Sequence, residues 1–338
     1  MKTHRLLAVG VGSIGERHVR CFLQTNRADV AICEINEPLR KMVADRYAIR
    51  STFADLTDAL HDAPHVAVIC APAHLHIPIA TQLAEAGVHL LIEKPLSTGF
   101  EGIDRLFSLV GEKNLTAAVA YVQRLHPALA AMRAAIHSGR FGDPVEIIAI
   151  SGQNFPFYRP AYRDIYYNNR ATGGGAIQDA LTHLMNAGQW LIGPMTELAA
   201  DAAHQVLEGV DVEDTVHVIA RHGLVMGSYV LNQHQAPNES TMTVVCRDGT
   251  ARCEFHRNRW LSATTPGENW TVEQEFSLER DDLFITQANR FLDAVEGKVT
   301  PACSLSEGLH TLQTNLAVLT AAEMHTWQTV PTGGERNT

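Results

Sequence analysis

The 338-residue chain is predicted to be an α/β protein: a doubly wound parallel sheet, then a second domain on a largely antiparallel sheet. Three observations predict it. Over roughly the first third, short apolar runs alternate with helix-like stretches, the pattern of buried parallel strands covered on both faces. Further on, strand-like runs follow one another without helices between them. Hydrophobic residues make up 46% and charged residues 19%, enough apolar surface to offset the ordering entropy of a folded chain.

The elements read in order. Arg5–Gly10 is an apolar run ending in glycine, and Ile14–Gln24 has helical character. Asp29–Glu34 is a second strand, and Pro38–Tyr47 a helix with proline in its first turn. His65–Cys70 is a third strand, Ile77–Ala86 a helix ending at Gly87, and Val88–Ile92 a fourth strand. The pattern changes near residue 121. A helix over about His126–His137 is expected to set Leu125, Leu129, Met132 and Ile136 on one face and to meet its stop at Gly139. Thr215–Ala220 alternates as a strand, and Ser240–Cys246 and Thr250–Phe255 flank Asp248-Gly249, a strong hairpin signal. Two helices follow. One carries Phe284, Ala288, Phe291 and Val295; the other opens with a capping box, Ser304-x-x-Glu307. The polar tail Pro331–Thr338 is expected to fray. The domains are expected at 1–122 and 123–338.

The formal net charge of −10 lacks the basic footprint that nucleic-acid binding needs. No run of 18 apolar residues exists, so no membrane span is expected. The N-terminal apolar run breaks into glycines and then Glu16-Arg17, too short and too soon charged for an exported segment. Six cysteines show no CxxC pair, which fits reduced thiols and a cytoplasmic protein. The 17 histidines form no HExxH or finger pattern, and no metal site is expected.

Gly10-Val11-Gly12-Ser13-Ile14-Gly15 is a GxGxxG run that follows a strand and opens a helix, the context a dinucleotide-binding turn requires. Gly10 permits the tight turn, Gly12 lets the backbone approach a pyrophosphate, and Gly15 lets the helix pack against the strand. The helix N-terminus offers unpaired N–H groups to the phosphates. Glu34 lies 19 residues after Gly15, where a carboxylate accepts the adenosine ribose hydroxyls and repels a 2′-phosphate. This favours NAD over NADP, although nearby Arg40 could blunt the preference. Lys94, in Glu93-Lys94-Pro95, ends the strand Val88–Ile92, and ligands of such sheets bind beyond the carboxyl ends of the strands.

Asp179 and His183 are four residues apart, one turn of a helix, after the run Gly173–Gly175. A histidine is suited to take a hydroxyl proton near neutral pH, with the aspartate orienting the ring or holding a substrate hydroxyl. Residues 154–170 are dense in tyrosine, arginine and asparagine, suited either to a polyhydroxylated ring or to a surface loop. Tyr162 and Arg163 are the favoured substrate contacts there.

The chain resembles the Gfo/Idh/MocA family of oxidoreductases over nearly its whole length. The resemblance is carried by Gly10–Gly15, Cys70-Ala71-Pro72-Ala73-His74-Leu75-His76, Gly87–Leu96 with its Glu-Lys-Pro, Tyr121-Val122-Gln123-Arg124, Ser138–Gly142 and Gly173–His183. It implies a Rossmann domain followed by an α/β domain whose open, mostly antiparallel sheet holds substrate on one face and subunit contacts on the other, in a homodimer or homotetramer. It implies NAD contacts from Ala71, Pro72, His76, Glu93, Lys94 and Gln123 beside Gly10, Gly12, Ser13, Ile14, Gly15 and Glu34. It assigns Lys94 to the substrate hydroxyl and nicotinamide, His183 to acid–base work, and places Arg124 beside the site, though a surface role for Arg124 stays open. The expected activity is hydride transfer between a sugar or polyol secondary alcohol and nicotinamide. An NAD-dependent glycosidase, oxidising the sugar transiently, and a non-enzymatic dinucleotide sensor are the alternatives. The family often has Asn or Thr where Ala73 stands, which weakens any side-chain role there.

Overall fold

The structure is a computed structural model and describes residues 3–332. It forms two compact units, Met1–Val122 with Glu279–Gly308, and Gln123–Leu278 with Leu309–Thr338.

The first unit runs β1 (His4–Val9), α1 (Ser13–Gln24), β2 (Ala28–Cys33), α2 (Glu37–Tyr47), β3 (Thr52–Phe53), α3 (Leu56–His61), β4 (Val66–Ile69), α4 (His76–Glu85), β5 (His89–Ile92), α5 (Ile103–Glu112) and β6 (Ala117–Val119). Every strand pair is parallel, in the order β3-β2-β1-β4-β5-β6, the order of dinucleotide-binding sheets. Leu6, Ala8, Ile32, Val66, Val68 and Leu91 pack with Val19 and Phe22 of α1 in one core. Local sequence sets the helix ends: Asn36 Oδ1 accepts the Leu39 N–H at 3.0 Å to cap α2, and Asp55 caps α3 through the Thr57 N–H at 2.7 Å.

The second unit contains α6 (Pro127–His137), β7 (Pro144–Gly152), a short α7 (Phe155–Tyr158), α8 (Thr182–Ile192), β8 (Glu197–Ala203), β9 (Thr215–His222), β10 (Val225–Asn232), β11 (Glu239–Cys246), β12 (Gly249–Glu254), β13 (Arg259–Ala263) and β14 (Thr271–Glu275). Helices α9 (Asp282–Val295) and α10 (Leu305–Met324) and strand β15 (Gln328–Thr329) complete the chain. The nine-stranded sheet is ordered β14-β13-β12-β11-β7-β10-β9-β8-β15 and is antiparallel except at β7–β10. Alternation divides its faces. Ile147, Ala149, Val216, Val218, Tyr229 and Leu231 are buried against α6 and α8, whereas Ile150, Ile219 and Met226 point outward and are exposed.

Three expectations are corrected. Residues 279–308, expected in the second domain, belong to the first unit. There Ala288, Phe291 and Leu292 of α9 join the first core, and Asp281 accepts both Arg20 Nε at 2.5 Å and Arg20 Nη2 at 2.7 Å from α1. An apolar helical face signals burial without saying which sheet covers it. The hairpin turn lies one residue earlier than expected: Cys246 pairs with Gly249, so Arg247-Asp248 form the loop. A Cβ at Gly249 would sit 2.8 Å from the Phe141 ring, so glycine serves packing there. Of the tail expected to fray, 333–338 lie outside the described residues, while Val330 before it is buried and donates its N–H to the Thr196 carbonyl at 2.8 Å.

Candidate functional site

The first unit carries the phosphate turn. Gly10 has φ +79°, and a Cβ on it would lie 2.9 Å from the Ala71 nitrogen. A Cβ on Gly15 would lie 2.0 Å from the Gly10 carbonyl oxygen, so only glycine lets α1 start this close to β1. Gly12 has no atom within 4 Å of its Cβ position. It is the N-cap of α1 and supplies no side chain of its own, leaving a cradle open to a phosphate beside Ser13 and Ile14. Glu34, just past β2, spans this turn: Oε2 accepts the Val11 N–H at 3.0 Å and Oε1 the Asn36 N–H at 2.9 Å. Arg40 Nη1 donates to the Glu34 carbonyl at 2.5 Å. Ala71, after β4 and followed by Pro72, adjoins the turn on the side of Gly10. These groups fit a dinucleotide.

Lys94 sits where β5 ends, followed by a cis peptide bond to Pro95. Its backbone N–H donates to Glu93 Oε2 at 3.0 Å. Glu93 is buried, and its Oε1 meets Nε2 of the buried His18 of α1 at 2.7 Å. Burial works to raise the Glu93 carboxyl, but the His18 hydrogen bond, the charges of His18 and Lys94 and the Lys94 N–H together hold it below the usual carboxylate range. His76, buried at the start of α4, lies between two carbonyls: Nδ1 to Pro95 at 2.9 Å and Nε2 to Ala71 at 2.8 Å. Burial pushes its imidazole below the ordinary histidine range against the pull of those carbonyls. His76, expected at the cofactor, thus stands between the Ala71 and Pro95 carbonyls, and its neutral ring has one N–H to donate to one of them.

The second unit carries Asp179 and His183. Ile177–Leu181 is a π-helical turn leading into α8, so Asp179 lies in a widened turn where a regular α-helix is expected, as often occurs at functional sites. The Asp179 side chain is buried; Oδ1 accepts the Tyr166 hydroxyl at 2.6 Å and Oδ2 the Arg159 Nη1 at 3.2 Å. The turn is braced from below by buried Glu213, whose Oε1 accepts the Ile177 N–H at 3.1 Å and whose Oε2 accepts Arg170 Nε at 2.8 Å. A Cβ on Gly175 would strike Glu213 Oε1 at 2.4 Å, which explains the glycine. His183 is half-buried on α8. Gln123 lies in a single turn, Val122–Leu125, and Arg124 beside it is 4% exposed, which removes the surface reading. Arg124 Nε donates to Asn186 Oδ1 of α8 at 2.7 Å. Asn186 continues to Thr311, Thr311 to Gln189 and Gln189 to Thr314, a buried chain that fixes the α8 face next to His183.

Of the two favoured substrate contacts, Tyr162 is corrected. Tyr162 is buried among Phe155, Tyr167, Leu207, Val210 and Val212, and its hydroxyl donates to the Glu208 carbonyl at 2.7 Å. Arg163 packs on that tyrosine and reaches Glu208. The residues this segment brings to Asp179 are Arg159 and Tyr166. Composition marked the segment; only the fold of its short turns separates Tyr162 from Tyr166.

Comparison with known proteins agrees with this architecture. Residues 4–121 match the oxidoreductase family model with an NAD-binding Rossmann fold, and residues 129–252 match the Gfo/Idh/MocA C-terminal domain. The chain belongs to the Gfo/Idh/MocA family of oxidoreductases. It is 26% identical to levoglucosan dehydrogenase of Pseudarthrobacter phenanthrenivorans over 89% of both chains. It is 24% identical to inositol 2-dehydrogenase of Rhizobium meliloti over 95% of this chain and 98% of that one. A solved levoglucosan dehydrogenase in complex with NADH superposes with a TM-score of 0.89 at 20% identity, over 98% of this chain and all of that chain. Among the described residues no helix is long and apolar enough to cross a membrane.

Proposed function

We propose that the protein is an NAD-dependent dehydrogenase of a sugar, polyol or sugar derivative, with Lys94, Asp179 and His183 as its catalytic residues. When bound, the nicotinamide supplies the hydride acceptor. His183 takes the proton of the substrate hydroxyl as the carbinol carbon is oxidised. Lys94 donates a hydrogen bond to that oxygen, where a fixed cation in a dry pocket favours developing negative charge. Asp179, held by Tyr166 and Arg159, keeps an acceptor of defined direction for a second hydroxyl. The observation that carries the reading is this buried, doubly held carboxylate one turn before a half-buried histidine, in a chain whose other unit has an open phosphate cradle. The names of the relatives, levoglucosan dehydrogenase and inositol 2-dehydrogenase, support a cyclic polyhydroxylated substrate.

NAD is favoured over NADP because Glu34 stands at the end of β2 with its carboxylate turned to the glycine turn. Exposed Ile150, Ile219 and Met226 on the outer sheet face support a homodimer or homotetramer. Six buried cysteine thiols support a cytoplasmic setting.

The test is the absorbance of reduced nicotinamide across polyols, anhydrosugars, aldoses, sugar acids and nucleotide sugars, with NAD and NADP in parallel. Net reduction with one substrate class is the expected result. Cleavage of glycosides without net reduction would replace the reading by a glycosidase, and NAD binding with neither reaction would replace it by a sensor.

A further inference from the structure

Three buried groups hold the peptide units around Lys94, and none of them has the exposure that binding a sugar requires. Glu93 uses one oxygen on the Lys94 N–H and the other on His18. His76 meets the Pro95 carbonyl on the far side of the same lysine. His18 projects from α1, whose first turn begins at Ser13 in the phosphate-binding loop. The lysine segment is therefore attached to the dinucleotide helix through the His18–Glu93 pair.

The chemistry of that pair argues for a role beyond packing. A carboxylate taken out of water is costly and is retained where its charge or direction is used. His18 Nε2 faces the carboxylate, while Nδ1 is buried with no hydrogen-bond partner. Its ring lies edge-on to Phe284 at 5.4 Å and near Phe22 at 6.3 Å. Whichever proton state the ring adopts, one nitrogen stays unsatisfied, so the ring is placed for Glu93 alone. An apolar residue would fill this aromatic pocket at lower cost. Buried titratable groups packed at the segment include His18, Glu93, His76 and Cys70; Glu93 holds the Lys94 N–H, His18 holds Glu93, and His76 meets the Pro95 carbonyl.

We propose that His18 is a positioning residue that acts through Glu93, coupling the dinucleotide-binding helix to the placement of Lys94. The inference rests on Lys94 being catalytic, as proposed above, but its central readout does not require turnover. Movement of the first turn of α1 when NAD binds is transmitted along the helix to His18, through Glu93 to the Lys94 N–H, and so to the ammonium group.

The experiment reads Lys94 directly. The sequence has five lysines (Lys2, Lys41, Lys94, Lys113 and Lys298), so reductive 13C-methylation gives a small set of resonances, and Lys94→Arg identifies the one of interest. NAD alone is titrated into the full chain. In the parent protein the Lys94 signal is expected to move on binding. In His18→Leu it is expected to be displaced before NAD is added and to respond several-fold less, while NAD affinity by calorimetry changes by less than about threefold. His18→Gln, which keeps a donor for Glu93, is expected to restore most of the response. With a working substrate, His18→Leu should lower kcat roughly 10- to 100-fold with little change in KM for NAD, the cost of a small misplacement. A Lys94 resonance identical in parent and His18→Leu, with and without NAD, would overturn the coupling. Should His18→Leu not fold, Glu93→Gln is read in the same way. If no substrate is turned over, the dehydrogenase reading fails while the Lys94 signals still decide the clamp.

Discussion

Tyr166 donates its hydroxyl to Asp179 at 2.6 Å, and it does so from the turn-rich segment that precedes α8. A hydrogen bond to a charged group contributes about 1.5–3 kcal/mol. Tyr166→Phe should therefore lower kcat/KM by roughly 10- to 100-fold in steady-state kinetics with the best substrate. Tyr162→Phe, which removes the bond from the packed cluster to the Glu208 carbonyl, should reduce thermal stability more than activity.

The glycines of the phosphate turn should separate by mechanism. Gly15→Ala forces a Cβ to 2.0 Å from the Gly10 carbonyl, so both the melting temperature and NAD binding should fall. Gly12→Ala meets no protein atom, so the melting temperature should hold while NAD affinity falls by about tenfold or more. Calorimetric titration beside a thermal melt checks both.

Glu34 should govern coenzyme choice. Glu34→Ser removes the carboxylate that accepts the Val11 N–H beside the glycine turn, leaving Arg40 nearby. The ratio of kcat/KM for NAD to that for NADP should drop by about tenfold or more, because a charge that repels the 2′-phosphate is gone. A ratio that does not move would assign discrimination elsewhere.

Stability should fall on mild acidification. His222 is buried, with Nδ1–H donating to the Gly193 carbonyl at 2.8 Å and Nε2 accepting the Tyr229 hydroxyl at 2.9 Å. Burial pushes its imidazole from 6.5 down to about 4. The unfolded chain therefore binds a proton that the folded chain refuses, between these two values. Its contribution is complete above pH about 6.5 and is lost as pH falls toward about 4, a loss on the order of 3 kcal/mol. Denaturant titrations across this window should show the slope, and His222→Gln should flatten it.

Much of this was legible in the chain because the signals are local. The glycine run, the strand before it and Glu34 lie within one short stretch, and the structure joins them through the Val11 N–H. The capping box at α10 forms as read, with the Ser304 N–H on Glu307 at 2.8 Å and the Glu307 N–H on Ser304 Oγ at 3.2 Å. What escaped depends on distant partners. The apolar face of α9 gives no hint that it covers α1. The two-residue strand β3 exists only through pairing with β2. The parallel pairing of β7 with β10 joins strands more than seventy residues apart. Tyr166 and Tyr162 have nearly the same local surroundings, and only the turns between them decide which reaches Asp179. The His18–Glu93 pair spans 75 residues, and neither residue announces the other.

The most direct measurement is the single-turnover rate of NAD reduction with a saturating substrate in the parent protein, Lys94→Ala and His183→Ala. The account predicts a fast phase in the parent and at least a hundredfold slower reduction in both variants, with NAD still bound, consistent with loss of a transition-state contact. Reduction at the parental rate in either variant would contradict the assignment of proton transfer and alkoxide stabilisation to these residues.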